Sequence, residues 1–196
     1  MLRCPEQHEE AFLVVSTGEM LGRMVRSGLL GCPVCQREYP IVKGIVRFSG
    51  SREQGPGSLT SSGTDRVPVD PQTLQALLDL SGPGGYVVLL GSAARHAVGL
   101  ASVMGGLHFV GVNAPGDVEE LPVLSLLDCD ARIPLRQTVA RAVVMGPERL
   151  GAEWLAEARR VLLPGRRLVV ESERVALPAG LTRLALGHGL FVGERR

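Results

Sequence analysis

The chain has 196 residues, of which 45% are hydrophobic, 21% charged and 4% aromatic, with a formal net charge of +1. Such proportions fit a moderate globular domain plus a small one, and they exclude both a general field for nucleic acid and a set of stacking platforms for bases. No apolar stretch approaches the roughly 20 residues that cross a bilayer, and no signal peptide is visible, so a cytoplasmic protein with no membrane partner is expected. Lys43 is the only lysine, a bias read as coding rather than chemistry.

In chain order, the first signal is Cys4-Pro5, answered by Cys32-Pro33-Val34-Cys35 and then Tyr39-Pro40-Ile41. Two thiolates two residues apart on a tight turn can point both sulfurs at one Zn²⁺, and a second arm closes the tetrahedron. The first arm carries Gln7 where a thiol is expected, and the nearest soft donor is His8. The candidate metal ligands are therefore Cys4, His8, Cys32 and Cys35. Free structural thiols, a disulfide framework and a redox pair are the alternatives; the second lacks a secretory context and the third lacks a clear helix after Cys35. Between them, Phe12 to Val15 reads as a strand, while Met20, Leu21, Met24 and Val25 have the spacing of a helical face.

The words Leu2-Arg3-Cys4-Pro5, Gly28-Leu29-Leu30-Gly31-Cys32-Pro33-Val34-Cys35 and Tyr39-Pro40-Ile41-Val42-Lys43-Gly44-Ile45 resemble the small zinc-ribbon activator subunit of tRNA and protein methyltransferases. The resemblance covers residues 1–48. It implies a second zinc knuckle followed by a strand packed beside it, and a protein partner that is a methyltransferase or a second copy. Gln7 departs from the family's knuckle cysteine, and Lys43 stands where an acidic residue is common.

Residues 49–65 are polar and rich in Gly and Ser, so 49–69 is expected to be a linker. After it, Asp70-Pro71 has the form of an N-cap with proline at the first helical position, ahead of Leu74, Leu77 and Leu78. Strands are expected at 86–90, 107–112, 140–145 and 167–171, helices at 94–104 and 154–163, and a closing hairpin at 181–186 and 190–193. Alternation of this kind implies a mostly parallel α/β sheet. The predicted architecture is a zinc-ribbon-like α+β domain (1–48), a linker (49–69) and a reduced Rossmann-like domain (70–196).

Val87-Val88-Leu89-Leu90-Gly91-Ser92, Val110-Gly111-Val112-Asn113, the segment 127–135 and above all the run 157–170 resemble a class I S-adenosylmethionine-dependent methyltransferase domain. The resemblance implies S-adenosylmethionine as cofactor, contacted by Gly91, Ser92, Asn113 and Asp130. Several contacts are altered: Leu89 replaces an acidic residue, Ala93 a glycine, and Asn113 the carboxylate that would hold the ribose, so cofactor binding is expected to be weak or absent. Side chains of Ala93, Ala94 or Arg95 are expected to fill the methionine end of the cleft. No catalytic residue is assigned. Glu148 reads as a solvated loop carboxylate, His96 and His108 as surface or capping residues, and Cys129 as a small buried hydrophobe.

The expected function is thus a non-catalytic or weakly active methyltransferase-like pseudoenzyme, a binding or scaffold module with a structural zinc site. An active methyltransferase and a regulatory subunit of a separate enzyme are the alternatives.

Overall fold

The computed structural model describes residues 2–48, 69–118 and 120–196. The expected linker lies, except for residue 69, outside the described residues.

The N-terminal region is a meander: β1 (Val14–Thr17), β2 (Met20–Leu21), β3 (Met24–Val25), β4 (Ser27–Gly31), β5 (Glu38–Val42) and β6 (Ile45–Arg47). Its tight turns follow from local chemistry. Lys43 and Gly44 have φ of 50° and 75°, and positive φ at both central residues of the β5–β6 turn matches the twist of the strands it joins. The helical face expected over Met20 to Val25 does not form. Met20 pairs with Val25 and Leu21 with Met24, across a two-residue turn that starts at Gly22. A pair of apolar residues on each side of such a turn produces spacings of three and four without any helix.

The C-terminal region follows the predicted alternation closely. Helix α1 (Pro71–Leu78) begins where Asp70 Oδ1 accepts hydrogen bonds from Gln72 N (3.1 Å) and Thr73 N (2.9 Å), as an N-cap does. Next come β7 (Tyr86–Leu90), a 3-10 turn (Gly91–His96), α2 (Ala97–Val103), β8 (His108–Val112), β9 (Leu124–Asp128), β10 (Ala140–Met145), α3 (Ala152–Val161), β11 (Leu162–Val170), β12 (Leu181–Gly187) and β13 (Leu190–Arg195). The predicted 94–104 helix is in part the 3-10 turn, and β9 has no counterpart among the predicted strands.

All strands except β2 and β3 belong to one sheet, in the order β1-β4-β5-β6-β9-β8-β7-β10-β11-β13-β12. Strands β7 to β11 run parallel, and β13 closes antiparallel on β11. This is a mixed α/β, Rossmann-like fold whose strand order reverses between β7 and β10. The N-terminal meander is built into the same sheet, because β6 pairs in parallel with β9 through Ile45↔Leu126, Val46↔Leu127 and Arg47↔Asp128. Alternation along the strands separates two cores. Val88, Leu90, Val143 and Met145 face α3 and the meander, while Val87, Leu89, Phe109 and Val144 face α1 and α2. Among the described residues no helix is long and apolar enough to cross a membrane.

The Asp70 cap makes a first prediction. Its carboxyl is held below the ordinary 3.8, chiefly by hydrogen bonds from the Thr73 side chain and backbone. A depressed carboxyl stabilises the folded state above its unfolded value and loses that contribution as pH falls through the folded one. Asp70→Ala should lower the thermal midpoint at pH 7, and the gap to wild type should close below about pH 4. Asp70→Asn, an equally good cap, should stay near wild type.

Candidate metal centre and strand-end crevice

The four proposed metal ligands come together at one end of the meander. Cys4 is tied to the neighbouring segment by its backbone N–H, which donates to Ala11 O at 3.1 Å. Cys32 follows β4, and its turn is closed by Gln36 N donating to Cys32 O (2.9 Å) and Cys32 N to Arg37 O (2.9 Å), with Gln36 in the left-handed region at φ 58°. One ligand atom from each of Cys4, His8, Cys32 and Cys35 lies within 4.8 Å of the others. Gln7 is exposed.

These distances fit zinc. A tetrahedral site with Zn–S bonds of about 2.3 Å has S···S edges of about 3.8 Å, and Cys4 Sγ lies 3.7 Å from Cys35 Sγ. His8 Nε2 lies 3.5 Å from Cys32 Sγ. The opposite ring nitrogen, Nδ1, is 2.6 Å from Glu9 O, so it carries the proton and leaves the Nε2 lone pair for a metal. Tyr39 OH, 3.2 Å from Cys4 Sγ, can donate to a thiolate there. Burial pushes the Cys32 thiol up, but the backbone N–H groups of Cys35 and Val34 outweigh it and bring it down to about 7. Burial raises the Cys4 thiol and also the Tyr39 hydroxyl. Cys4 and Cys32 are each 3% exposed, while His8 is half-buried and Cys35 exposed, so the centre is shielded on one side and open on the other.

The second region of interest lies at the carboxyl ends of the parallel strands, where open α/β sheets bind ligands at the reversal of strand order. Gly91 follows β7, Asn113 follows β8, and Asp130 follows β9, so the topology brings the expected cofactor residues to one edge of the sheet. Gly91 has φ 63° and is buried. The space above it is taken by Glu148: Ser92 N donates to Oε1 at 2.6 Å, and Ser92 Oγ donates to Oε2 at 2.8 Å. A Cβ added at Gly91 would collide with that carboxylate, and one added at Gly146 would lie 2.7 Å from both of its oxygens. Asn113, at φ 53°, spends both ends of its amide on one neighbour, donating to Cys129 O and accepting from Cys129 N, each at 2.8 Å. Asp130 is exposed.

Several expectations change here. Ala93 and Ala94 do not fill the crevice; they are fully buried in the core under α1 and α2. Arg95 points to Asp117, with contacts of 3.0 and 3.1 Å. Glu148 is exposed, as expected of a solvated carboxylate, and its hydrogen bonds to Ser92 also seat it on the Gly91 turn. His96 stands at the N-cap position of α2 without a side-chain cap bond, and its Nε2 lies 2.6 Å from Glu171 Oε1, with side chains 15% and 16% exposed. Leu89, read as a lost acidic position, is a core residue facing the helices. Cys129 is 4% exposed, and burial beside Asp128 pushes its thiol up to about 12, so it stays protonated and unreactive.

Solved structures similar to parts of this chain are found at low identity. An S-adenosylmethionine-dependent methyltransferase from Aquifex aeolicus is 18% identical with a TM-score of 0.47, over 64% of this chain and 88% of that one. Geranyl diphosphate C-methyltransferase from Streptomyces coelicolor, bound to S-adenosyl-L-homocysteine, is 12% identical with a TM-score of 0.49, over 64% and 78%. A complex of the Haloferax volcanii Trm112 methyltransferase activator with a methyltransferase aligns at 20% identity and a TM-score of 0.41, covering 51% of this chain and half (50%) of that one. No family model matches the sequence, and no curated protein matches it. Function has to be argued from this chain's own residues.

Proposed function

We propose that the chain is a methyltransferase-like binding or scaffold module without methyl-transfer activity, stabilised by a structural zinc ion on Cys4, His8, Cys32 and Cys35. The observation that carries the first half is the Glu148 carboxylate on the Gly91–Ser92 turn. A ligand carboxylate or hydroxyl that needs the Ser92 N–H must displace a charged group from two hydrogen bonds, and such charge-assisted bonds are the strong ones. Asn113 adds to the case, since both ends of its amide are tied to Cys129 and its oxygen, already accepting from Cys129 N, keeps one lone pair where a pair of ribose hydroxyls needs two acceptors. The residues of the crevice therefore do not fit S-adenosylmethionine.

The second half rests on the donor set. Three thiols and an imidazole in its Nδ1–H form, two of the thiols buried, suit a closed four-coordinate structural site. Zinc there would fix the turn after β4 against the N-terminal segment.

A regulatory role toward a separate methyltransferase is less favoured by the topology. The edge of β6, which could add to a partner's sheet, is already taken by β9 of the same chain.

Calorimetric titration with S-adenosylhomocysteine tests the reading. Wild type should give no binding heat at ligand concentrations up to about a hundred times those that saturate an ordinary micromolar site. Saturable micromolar binding by the wild type would overturn it. In Glu148→Ala, recovered binding would identify the carboxylate as the main obstacle, while continued silence would assign the loss to the crevice as a whole, Asn113 included.

A further inference from the structure

A groove of about 470 Å³ lies on the sheet face shared by the meander and the Rossmann-like region, near the amino ends of β7 to β9 and so at the opposite end of these strands from the crevice. The reason it exists is topological. The connection from β9 to β10, residues 129–139, contains no helix, and it sends Cys129, Ile133 and Leu135 into the core on that side, with Val139 packed half-buried against them. The floor is consequently aliphatic sheet: Ile41, Val46 and Leu127 are paired in register across β5, β6 and β9, Leu30 and Val110 extend that face onto β4 and β8, and Leu2, Leu13 and Leu135 complete the apolar lining. At its end His108 Nε2 meets Ser125 Oγ at 2.9 Å, and the imidazole packs edge-on to Tyr86 with centroids 5.8 Å apart. Burial lowers the His108 pKa, so this end is polar but uncharged at neutral pH.

Charge enters only at the rim. Arg23, from the β2–β3 turn, and Lys43, from the β5–β6 turn, line the groove and take part in none of the ion pairs among the described residues. The third rim cation, Arg26, is paired with Glu120, which leaves that acid neutralised. An apolar trough of ordinary small-ligand volume with two free cations at its mouth is complementary to one kind of molecule.

We propose that this groove binds one small anionic amphiphile per chain, its apolar tail along the Leu30–Val110 floor and its acidic head between Arg23 and Lys43. The tail gains by leaving water, and the head fixes its direction. Binding here is independent of the strand-end crevice and involves the metal centre only in that the metal holds the meander that lines much of the groove.

Dodecanoate below its micellar concentration is the probe, titrated calorimetrically into the intact protein. Dodecyltrimethylammonium offers the same tail with the opposite charge, and acetate the head without the tail. Dodecanoate should bind saturably at one per chain, the cation at least about tenfold more weakly, since two exposed ion pairs together are worth about that factor, and acetate not at all. The double variant Arg23→Glu/Lys43→Glu, changed only at exposed positions, should reverse the preference while keeping the wild-type thermal midpoint. Val15→Trp, on a wall residue that is 50% exposed, should weaken dodecanoate at least about tenfold by filling the groove. Equal affinity for both head groups, unsaturable partitioning, or an unchanged preference in the double variant would overturn the proposal. So would an absence of binding, whether the protein runs as a monomer or as a dimer that covers this face with a second copy.

Discussion

Purified protein should carry one zinc ion per chain by elemental analysis, and Cys32→Ser should release it and unfold the meander. The size of the effect comes from the coupling of metal binding to folding: a structural zinc site in a small domain contributes roughly 10–16 kcal/mol of apparent binding free energy at neutral pH. The dependence is greatest around β1 to β3, where Phe12, Val14, Val15, Met20 and Leu21 are 49% to 64% exposed, whereas Leu30, Tyr39, Ile41, Val46 and Phe48 are anchored in the common core. Loss should spread from there to β9, whose edge is covered by β6. Far-ultraviolet circular dichroism and hydrogen exchange over residues 2–48 should both report it, and a chelator should reproduce it in the wild type. His8→Ala is the sharper variant: retained zinc would keep the three thiols and discard the imidazole as fourth ligand. An absence of metal with freely titrating thiols would remove the centre altogether.

The metal-free chain should also show a pH dependence of definite sign. The Cys32 thiol is brought down from its ordinary 9.0 to about 7, so the folded state holds its proton less tightly than the unfolded state. Stability from this group is present in full above about pH 9 and is lost as pH falls through about 7. Acidification should therefore weaken the meander, and Cys32→Ser should flatten that part of the profile.

Arg160→Ala should destabilise the fold by about 3–5 kcal/mol, the scale for removing one partner of a buried charge pair. Arg160 Nε and Nη2 each lie 2.7 Å from a Glu157 oxygen, and the two side chains are 19% and 15% exposed. The guanidinium also donates to Leu135 O at 2.9 Å and Ile133 O at 2.7 Å, while Ile133 N donates to Glu157 Oε2 at 2.8 Å. One ion pair thus holds residues 133–135, the middle of the loop between β9 and β10. The same loop receives the N-terminal segment, where Arg3 N donates to Pro134 O at 3.0 Å. Removing Arg160 leaves Glu157 and two carbonyls without their main partner. Urea denaturation should show the loss, with increased exchange at residues 133–135, and Glu157→Gln combined with Arg160→Met should recover part of it. A cost below about 1 kcal/mol in Arg160→Ala would mean that the pair behaves as a solvated surface bridge.

Local chemistry carried a large share of the reading. The Asp70 cap, the run Tyr86–Leu90, the run Ala140–Met145 and the hairpin around His188-Gly189 are each determined by residues close in sequence, through a capping side chain, a continuous apolar stretch or a tight turn. The candidate zinc ligands were legible for a similar reason, because soft donors are rare and Cys32 and Cys35 share a single turn. Where one pattern fits two structures, the sequence misled: the apolar pairs at 20–21 and 24–25 suit a helix and a two-residue hairpin alike. Strand β9 was missed because Leu-Ser-Leu-Leu-Asp is too short to show a period, although the sheet places it between β8 and β6.

What the tertiary structure alone decided is which distant residues meet. Sequence by itself determined the alternating α/β order and the candidate donors Cys4, His8, Cys32 and Cys35, since each depends on residue type and near spacing. It could not place Glu148 on Ser92, 56 positions away, or His96 on Glu171, 75 positions away, because those contacts exist only once β10 and β11 lie beside β7. Nor could it join β6 to β9: backbone pairing between strands about 80 residues apart leaves no mark on side-chain type. Asn113 reads in sequence as a weakened ribose ligand and in space as a bridge to the Cys129 backbone, and the difference is made by a left-handed turn that brings its amide against the next strand's end.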